Sequence, residues 1–153
     1  MKKITTLLVS CLVFALSGSA QLFVKPADNA TPTETGTAGA KIVQLVNAIR
    51  PASFQPSFKK EKTAFLSAAA ASNDAPSMAR NLSRLAGFIK PEKFKPGISR
   101  ETIVKKAAAI STLAQAKALL IDMEADLQPK ALADIWQLER GTWMSDLKSG
   151  NAK

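Results

Sequence analysis

One phrase occurs three times in this sequence, and the repetition limits the folds that the chain can adopt. Each copy has an apolar residue, then Arg, Lys or Gln, then proline, with large apolar side chains three and seven residues after the proline. The copies begin at Ile49, Ile89 and Leu127, at spacings of 40 and 38 residues. Such a period is typical of supersecondary units that bury their apolar faces against one another. It predicts an all-α fold of three stacked helix–turn–helix units, forming a small helical-repeat domain or bundle.

The residues before each proline have the spacing of an amphipathic helix. Apolar side chains recur every three or four positions, as at Ile42 and Leu45 in the first unit. Proline disfavours helical geometry in the residue before it. The first helix of each unit should therefore break at Arg50, Lys90 and Gln128. Side-chain oxygens suited to capping the amino ends of these helices come from Thr37, Asp74 and Thr112.

A second helix is expected after each proline turn. In the first two units Pro56 and Pro96 interrupt the chain, so the second helices are predicted over Lys59–Ala71 and Ser99–Ile110. The third unit has no such proline, which leaves room for one helix from Pro129 to Leu147. The large apolar residues after the prolines are predicted to be core anchors: Phe54, Phe58, Phe94, Ile98, Leu132 and Trp136.

The first 20 residues have the pattern of a secretory signal peptide. A basic start precedes an apolar stretch over residues 4–16, and small residues at Gly18 and Ala20 fit a cleavage site. The stretch is shorter than the about 20 residues that a membrane-spanning helix needs. The sequence therefore predicts a chain exported to the periplasm or the extracellular space, with no transmembrane segment after signal cleavage.

The single cysteine leaves one alternative open. Residues 8–11 have the shape of a lipoprotein processing box, in which Cys11 would be acylated. Cleavage after Ala20 would instead remove Cys11, and the mature chain would contain no thiol and no disulfide. A fold without disulfides has to be stabilised by packing alone.

Composition divides the chain that follows the signal. Residues 21–40 are rich in proline, threonine and glycine, and such a segment buries too little apolar surface to offset the entropy of ordering. We expect a flexible linker there, a helical domain over 41–149 and a disordered tail at 150–153. The three units are placed at about 38–75, 76–113 and 114–149.

The residue types present argue against an enzyme. The chain has no histidine and no tyrosine, so the usual general base and the commonest ligand of transition metals are missing. No serine lies in a G-x-S-x-G context, and no glycine-rich phosphate loop is visible. The sequence predicts no catalytic residue, no cofactor-binding residue and no metal ligand.

Charge is distributed unevenly along the chain. Between residues 41 and 106 there are 13 basic and 4 acidic residues, within a formal net charge of +9 for the whole sequence. The candidate residues for binding an anionic partner, called here the basic rim, are Arg50, Lys59, Lys60, Lys90, Lys93, Lys95 and Arg100. Lys62 belongs to the same stretch. The competing interpretation is a solvated surface that binds nothing.

These observations predict an exported, non-catalytic helical-repeat protein that acts as a binding or scaffold module in the bacterial periplasm or cell envelope. The expected partner is a protein or an anionic envelope component, and export disfavours nucleic acid. The alternative is a peripheral adaptor that uses the basic rim to bind lipid head groups or polysaccharide. Nothing in the sequence specifies the oligomeric state.

Overall fold

The computed structural model describes residues 37–149, which contain six α-helices and three short 3-10 turns, one turn between the two helices of each unit. The helices are α1 (Ala38–Ala48), α2 (Phe58–Ala70), α3 (Ala75–Phe88), α4 (Arg100–Ala108), α5 (Leu113–Asp126) and α6 (Trp136–Ser149). The 3-10 turns are Pro51–Ser53, Pro91–Lys93 and Pro129–Ala131. The predicted all-α class is confirmed. In this part of the chain, no helix combines the length and the apolar character needed to cross a bilayer. The predictions for the signal peptide, for Cys11, for the linker up to residue 36 and for the tail lie outside the described residues.

The predicted caps start the first helix of each unit. The Thr37 hydroxyl accepts a hydrogen bond from the Ala40 amide at 3.1 Å, and the Asp74 carboxylate accepts one from the Ser77 amide at 2.7 Å. Thr112 forms a complete capping box with the glutamine three residues later. These contacts satisfy amides that the first turn of a helix leaves without partners.

The start of α1 corrects the predicted end of the linker. The linker was expected to reach residue 40, but α1 begins at Ala38, and both Ala38 and Gly39 are buried. Gly39 lies against the carboxyl end of α2. A Cβ at this position would come within 2.2 Å of the Ala69 carbonyl oxygen and 2.6 Å of the Ser72 carbonyl oxygen. Since glycine has no Cβ, it permits this close crossing of the two helices.

Each first helix ends at one extended residue, which starts a proline turn. The three proline turns are residues 49–54, 89–94 and 127–132, and each contains one of the 3-10 segments. Isolated antiparallel bridges join the turns in pairs: Phe54 with Ile89, Phe94 with Leu127, and Ile49 with Leu132. The first turn thus pairs with the second, the second with the third, and the third with the first.

The backbone hydrogen bonds of this cycle are equivalent at all three junctions. In each turn, the residue that precedes the proline donates its backbone amide to the carbonyl of the last residue in a neighbouring 3-10 segment, at 2.9 Å each time. The pairs are Lys90 with Ser53, Gln128 with Lys93, and Arg50 with Ala131. The prediction of stacked units did not include this return from the third unit to the first.

The third unit contains no single helix from Pro129 to Leu147. The chain forms a 3-10 turn at Pro129–Ala131, becomes extended at Leu132 and enters α6 only at Trp136. The break follows from pairing with the first unit, because the Ala133 amide donates to the Ala48 carbonyl at 2.7 Å. No local proline is needed to interrupt the helix.

The core contains most of the predicted anchors. Five of the six are buried: Phe54, Phe58, Phe94, Leu132 and Trp136. The sixth, Ile98, is partly buried and packs against the core. Phe58 also contacts Phe65 and Phe88 edge-on or tilted, with ring centroids 5.9 and 4.9 Å away. The proline turns and the helices therefore share one hydrophobic core.

Candidate functional site

Four of the seven residues of the basic rim donate hydrogen bonds to backbone carbonyls of the fold: Arg50, Lys90, Lys95 and Arg100. Arg100 reaches the Gly87 carbonyl in the last turn of α3 at 2.6 Å, and Lys95 reaches the Ala125 carbonyl in the last turn of α5. Carbonyls in the last turn of a helix lack intrahelical partners, and a cation is favourable there. These two cations have a structural role as helix caps.

The residue before each proline joins two neighbouring turns through its side chain. The Arg50 Nε donates to the Leu132 carbonyl at 2.8 Å, and Lys90 Nζ donates to the Ala52 carbonyl at 3.0 Å. In the third turn Gln128 Nε2 takes the same role and donates to the Phe94 carbonyl at 2.9 Å. A long side chain that ends in a donor is the shared property of Arg, Lys and Gln. This explains why glutamine can replace the cation in the third copy of the phrase.

Three residues of the basic rim remain without such contacts. The side-chain ammonium groups of Lys59, Lys60 and Lys93 form no hydrogen bond and no ion pair within residues 37–149. Lys59 and Lys60 are exposed near the start of α2, and Lys93 is half-buried in the second proline turn. The neighbouring Lys62 is also exposed and unpaired among the described residues.

A cavity of about 500 Å³ lies beside two of these lysines, between the end of α1, the first proline turn and the start of α2. Its apolar lining consists of Val46, Ile49, Pro51, Phe54, Pro56 and Phe58. Its polar lining consists of Asn47, Gln55, Lys59 and Lys62. Ligand cavities are commonly of this size and combine mostly apolar walls with a few polar groups.

The cavity lining is electrostatically one-sided. It includes the two unpaired ammonium groups and, among the residues described around it, no carboxylate. The nearest acidic residue along α2, Glu61, is paired with Arg84 at 3.5 Å. Lys59 and Lys62 also lie in the first turns of α2, where the helix dipole favours negative charge. The lining therefore favours an anionic group.

The sequence did not predict this cavity. Lys59 was a candidate for its charge, but Asn47 and Gln55 carried no signal. They reach the same cavity only because the first proline turn folds back beside α1. The backbone amide of Gln55 donates a hydrogen bond to the Phe88 carbonyl of the second unit at 2.7 Å. The lining thus depends on pairing between units, which no local pattern contains.

Two buried ionisable side chains lie elsewhere and join helices. Lys41 Nζ is 2.6 Å from Asp146 Oδ2, and this ion pair connects α1 to α6. Glu124 Oε1 accepts hydrogen bonds from Trp136 Nε1 at 3.0 Å and from Arg140 Nε at 2.6 Å, which connects α5 to α6. The hydrogen bond to Glu124 raises the pKa of Arg140 above its usual range, although burial opposes this.

Within residues 37–149 no group of three or more histidine, cysteine, aspartate or glutamate side chains is arranged to hold a metal ion. The chain matches no protein-family model, no curated protein and no solved structure. The candidate site therefore rests on its own geometry: an apolar cavity with two unpaired lysines beside it.

Proposed function

We propose that this protein is an exported, non-catalytic binding module, and that its binding site is the cavity beside Lys59 and Lys62. The observation that carries this proposal is the contrast between cations. The side chains of Arg50, Lys90, Lys95 and Arg100 donate to backbone carbonyls, whereas the ammonium groups of the two cavity lysines have no partner among the described residues. An unpaired charge beside an apolar cavity is suited to orienting a ligand.

The rigid surroundings of the cavity support the same function. The first proline turn is held by the bridge between Phe54 and Ile89 and by the hydrogen bond from the Lys90 amide to the Ser53 carbonyl. A preformed site loses less conformational entropy when a ligand binds. The cavity walls are therefore arranged for binding rather than for large rearrangement.

Capture from the host's own envelope fraction tests the binding role. The tagged protein and a Lys59→Gln/Lys62→Gln variant are each incubated with the fraction, and bound components are identified by mass spectrometry. A Lys105→Gln/Lys130→Gln variant has the same net charge and serves as the matched control. We expect a component that binds the wild type and the control but not the cavity variant. A set of bound components that is the same for all three proteins would contradict the proposed site.

Export is tested separately by the amino terminus of the recovered protein. Mass spectrometry of the amino-terminal peptide of protein from the periplasm or the medium should identify Gln21, or the pyroglutamate formed by its cyclisation, as the first residue. A chain that retains Met1 would contradict export by a cleaved signal, and an acylated start at Cys11 would support the lipoprotein alternative.

The second candidate function is a peripheral adaptor to anionic envelope surfaces. It is favoured by the exposed, unpaired Lys59 and Lys60 together with the half-buried Lys93. Binding to phosphatidylglycerol vesicles, with phosphatidylcholine vesicles as the control, should weaken strongly between low and moderate salt because ions screen exposed charges. Binding that is independent of salt and of Lys59→Gln/Lys60→Gln/Lys93→Gln would contradict this function.

A further inference from the structure

We propose that the cavity between α1, the first proline turn and α2 binds a small amphiphilic monoanion, with one acidic head group attached to an apolar body. This inference rests on the proposed function, since it identifies the ligand class of the same site.

The walls of the cavity determine the apolar body of the ligand. The rings of Phe54 and Phe58 stack with centroids 4.2 Å apart and planes inclined by 29°. Phe58 is held from behind by Phe65 and Phe88. With Val46 and Ile49 these rings form a fixed apolar surface, and burial of apolar groups there is favourable by about 25 cal/mol per Å². A volume of about 500 Å³ suits a molecule with one or two rings or a medium-length acyl chain.

The polar groups determine the head group. Lys59 and Lys62 are three residues apart on α2 and therefore share a face of the helix. Both are exposed and lack an ion-pair partner within residues 37–149, so an anion would not have to displace an existing contact. Asn47 and Gln55 add neutral amides to the lining. A cationic ligand would be repelled, and a neutral one would gain nothing from the two ammonium groups.

Two fluorescent probes that share an aromatic system separate the apolar and the charged contribution. The anionic probe is 8-anilino-1-naphthalenesulfonate, and the neutral one is N-phenyl-1-naphthylamine. Wild-type protein should bind the sulfonate at one saturable site and more tightly than the neutral probe. In Lys59→Gln/Lys62→Gln the sulfonate should bind about tenfold more weakly, since each exposed charge contact contributes up to about 1 kcal/mol. Binding of the neutral probe should change by less than about twofold, because its apolar contacts remain.

Asn47→Trp tests the location of the site. Asn47 is exposed at the end of α1 and lines the cavity, so an indole there should fill the cavity and weaken both probes. The Lys105→Gln/Lys130→Gln control should bind both probes like the wild type. Circular dichroism checks that each variant is folded. If Asn47→Trp does not fold, NMR locates the site instead. During titration of the wild type with the sulfonate probe, the backbone amide signals of Lys59 and Lys62 should shift.

A non-fluorescent competitor distinguishes a free amphiphile from a lipid surface. Decanoate below its micelle concentration should displace the sulfonate probe from the wild type. Displacement by phosphatidylglycerol vesicles but not by monomeric decanoate would overturn the proposal.

Sulfonate binding that is unchanged in the double lysine variant, or that persists in folded Asn47→Trp, would also overturn it. Different outcomes contradict the ligand class and the binding site. If neither probe binds but an envelope component still depends on Lys59 and Lys62, the ligand class is wrong and the binding site stands. If the envelope component is also independent of these lysines, both the ligand class and the proposed function are wrong.

Discussion

Replacing Gly39 with alanine should destabilise the fold, although alanine is the better helix former. In a helix interior the exchange alone is favourable by about 0.5–1 kcal/mol, and at Gly39, the second residue of α1, the gain is at most this large. At Gly39 the added Cβ would lie 2.2, 2.6 and 2.9 Å from the carbonyl oxygens of Ala69, Ser72 and Ala70. All three oxygens belong to the backbone, so no side-chain rotation relieves the clash. Overpacking costs about 1–3 kcal/mol, and we place this site at the upper end. The net loss should be about 2 kcal/mol.

Gly141→Ala is the matched control. Gly141 lies inside α6, is exposed, and would have no atom within 4 Å of its new Cβ. It should therefore show only the gain in helix propensity, about 0.5–1 kcal/mol. The two variants share one substitution and should change the free energy of unfolding in opposite directions, with a difference of about 3 kcal/mol.

Urea denaturation followed by circular dichroism at 222 nm measures both values. The m-values should match that of the wild type, so that the midpoints report stability alone. A Gly39→Ala protein as stable as the wild type, or stabilised like Gly141→Ala, would refute the close crossing of α1 and α2.

Two further predictions concern polar contacts. Glu124→Ala should lower the free energy of unfolding by about 3 kcal/mol, the lower end for a broken buried ion pair, because the Arg140 side chain is 38% exposed. Glu124→Gln should lower it less, since glutamine retains an acceptor for the Trp136 indole. Urea denaturation of both variants measures the difference. Hydrogen bonds from Ser77 lower the pKa of Asp74 in the folded protein. The Asp74 carboxylate therefore contributes its full stabilisation above the ordinary aspartate pKa, and this stabilisation is lost as the pH falls through the lowered pKa of the folded state. Asp74→Asn should remove that acid dependence, and a ¹³C NMR titration of the Asp74 carboxyl should give a midpoint below the ordinary value; an ordinary midpoint would contradict the cap.

Local features of the fold were predictable from the sequence because their causes are local. Thr37, Asp74 and Thr112 cap helices through contacts three residues away, and a proline determines where each first helix ends. The all-α class follows from the same signals. The Thr37 cap indicated the start of α1, but the linker was extended to residue 40, because the role of Gly39 depends on the backbone carbonyls at the carboxyl end of α2.

The features that the sequence did not predict depend on contacts between distant units. The late start of α6 follows from the pairing of Leu132 with Ile49, 83 positions earlier in the chain. The structural role of Arg50 and Lys90 likewise requires the neighbouring turn. Within the basic rim, charge alone could not distinguish cations whose side chains hydrogen-bond to the backbone from unpaired ones such as Lys59.

The central structural claim is that the three proline turns pair in a closed cycle, and amide hydrogen exchange measured by NMR tests it most directly. The Arg50 amide donates to Ala131 and the Ala133 amide to Ala48, and both join the first unit to the third. The Lys90 amide makes the equivalent bond between the first and second units. In a closed cycle all three amides should be protected to a similar degree, close to that of global unfolding. Exchange of Arg50 and Ala133 at the rate of free amides, with Lys90 still protected, would show an open row of units and contradict the account.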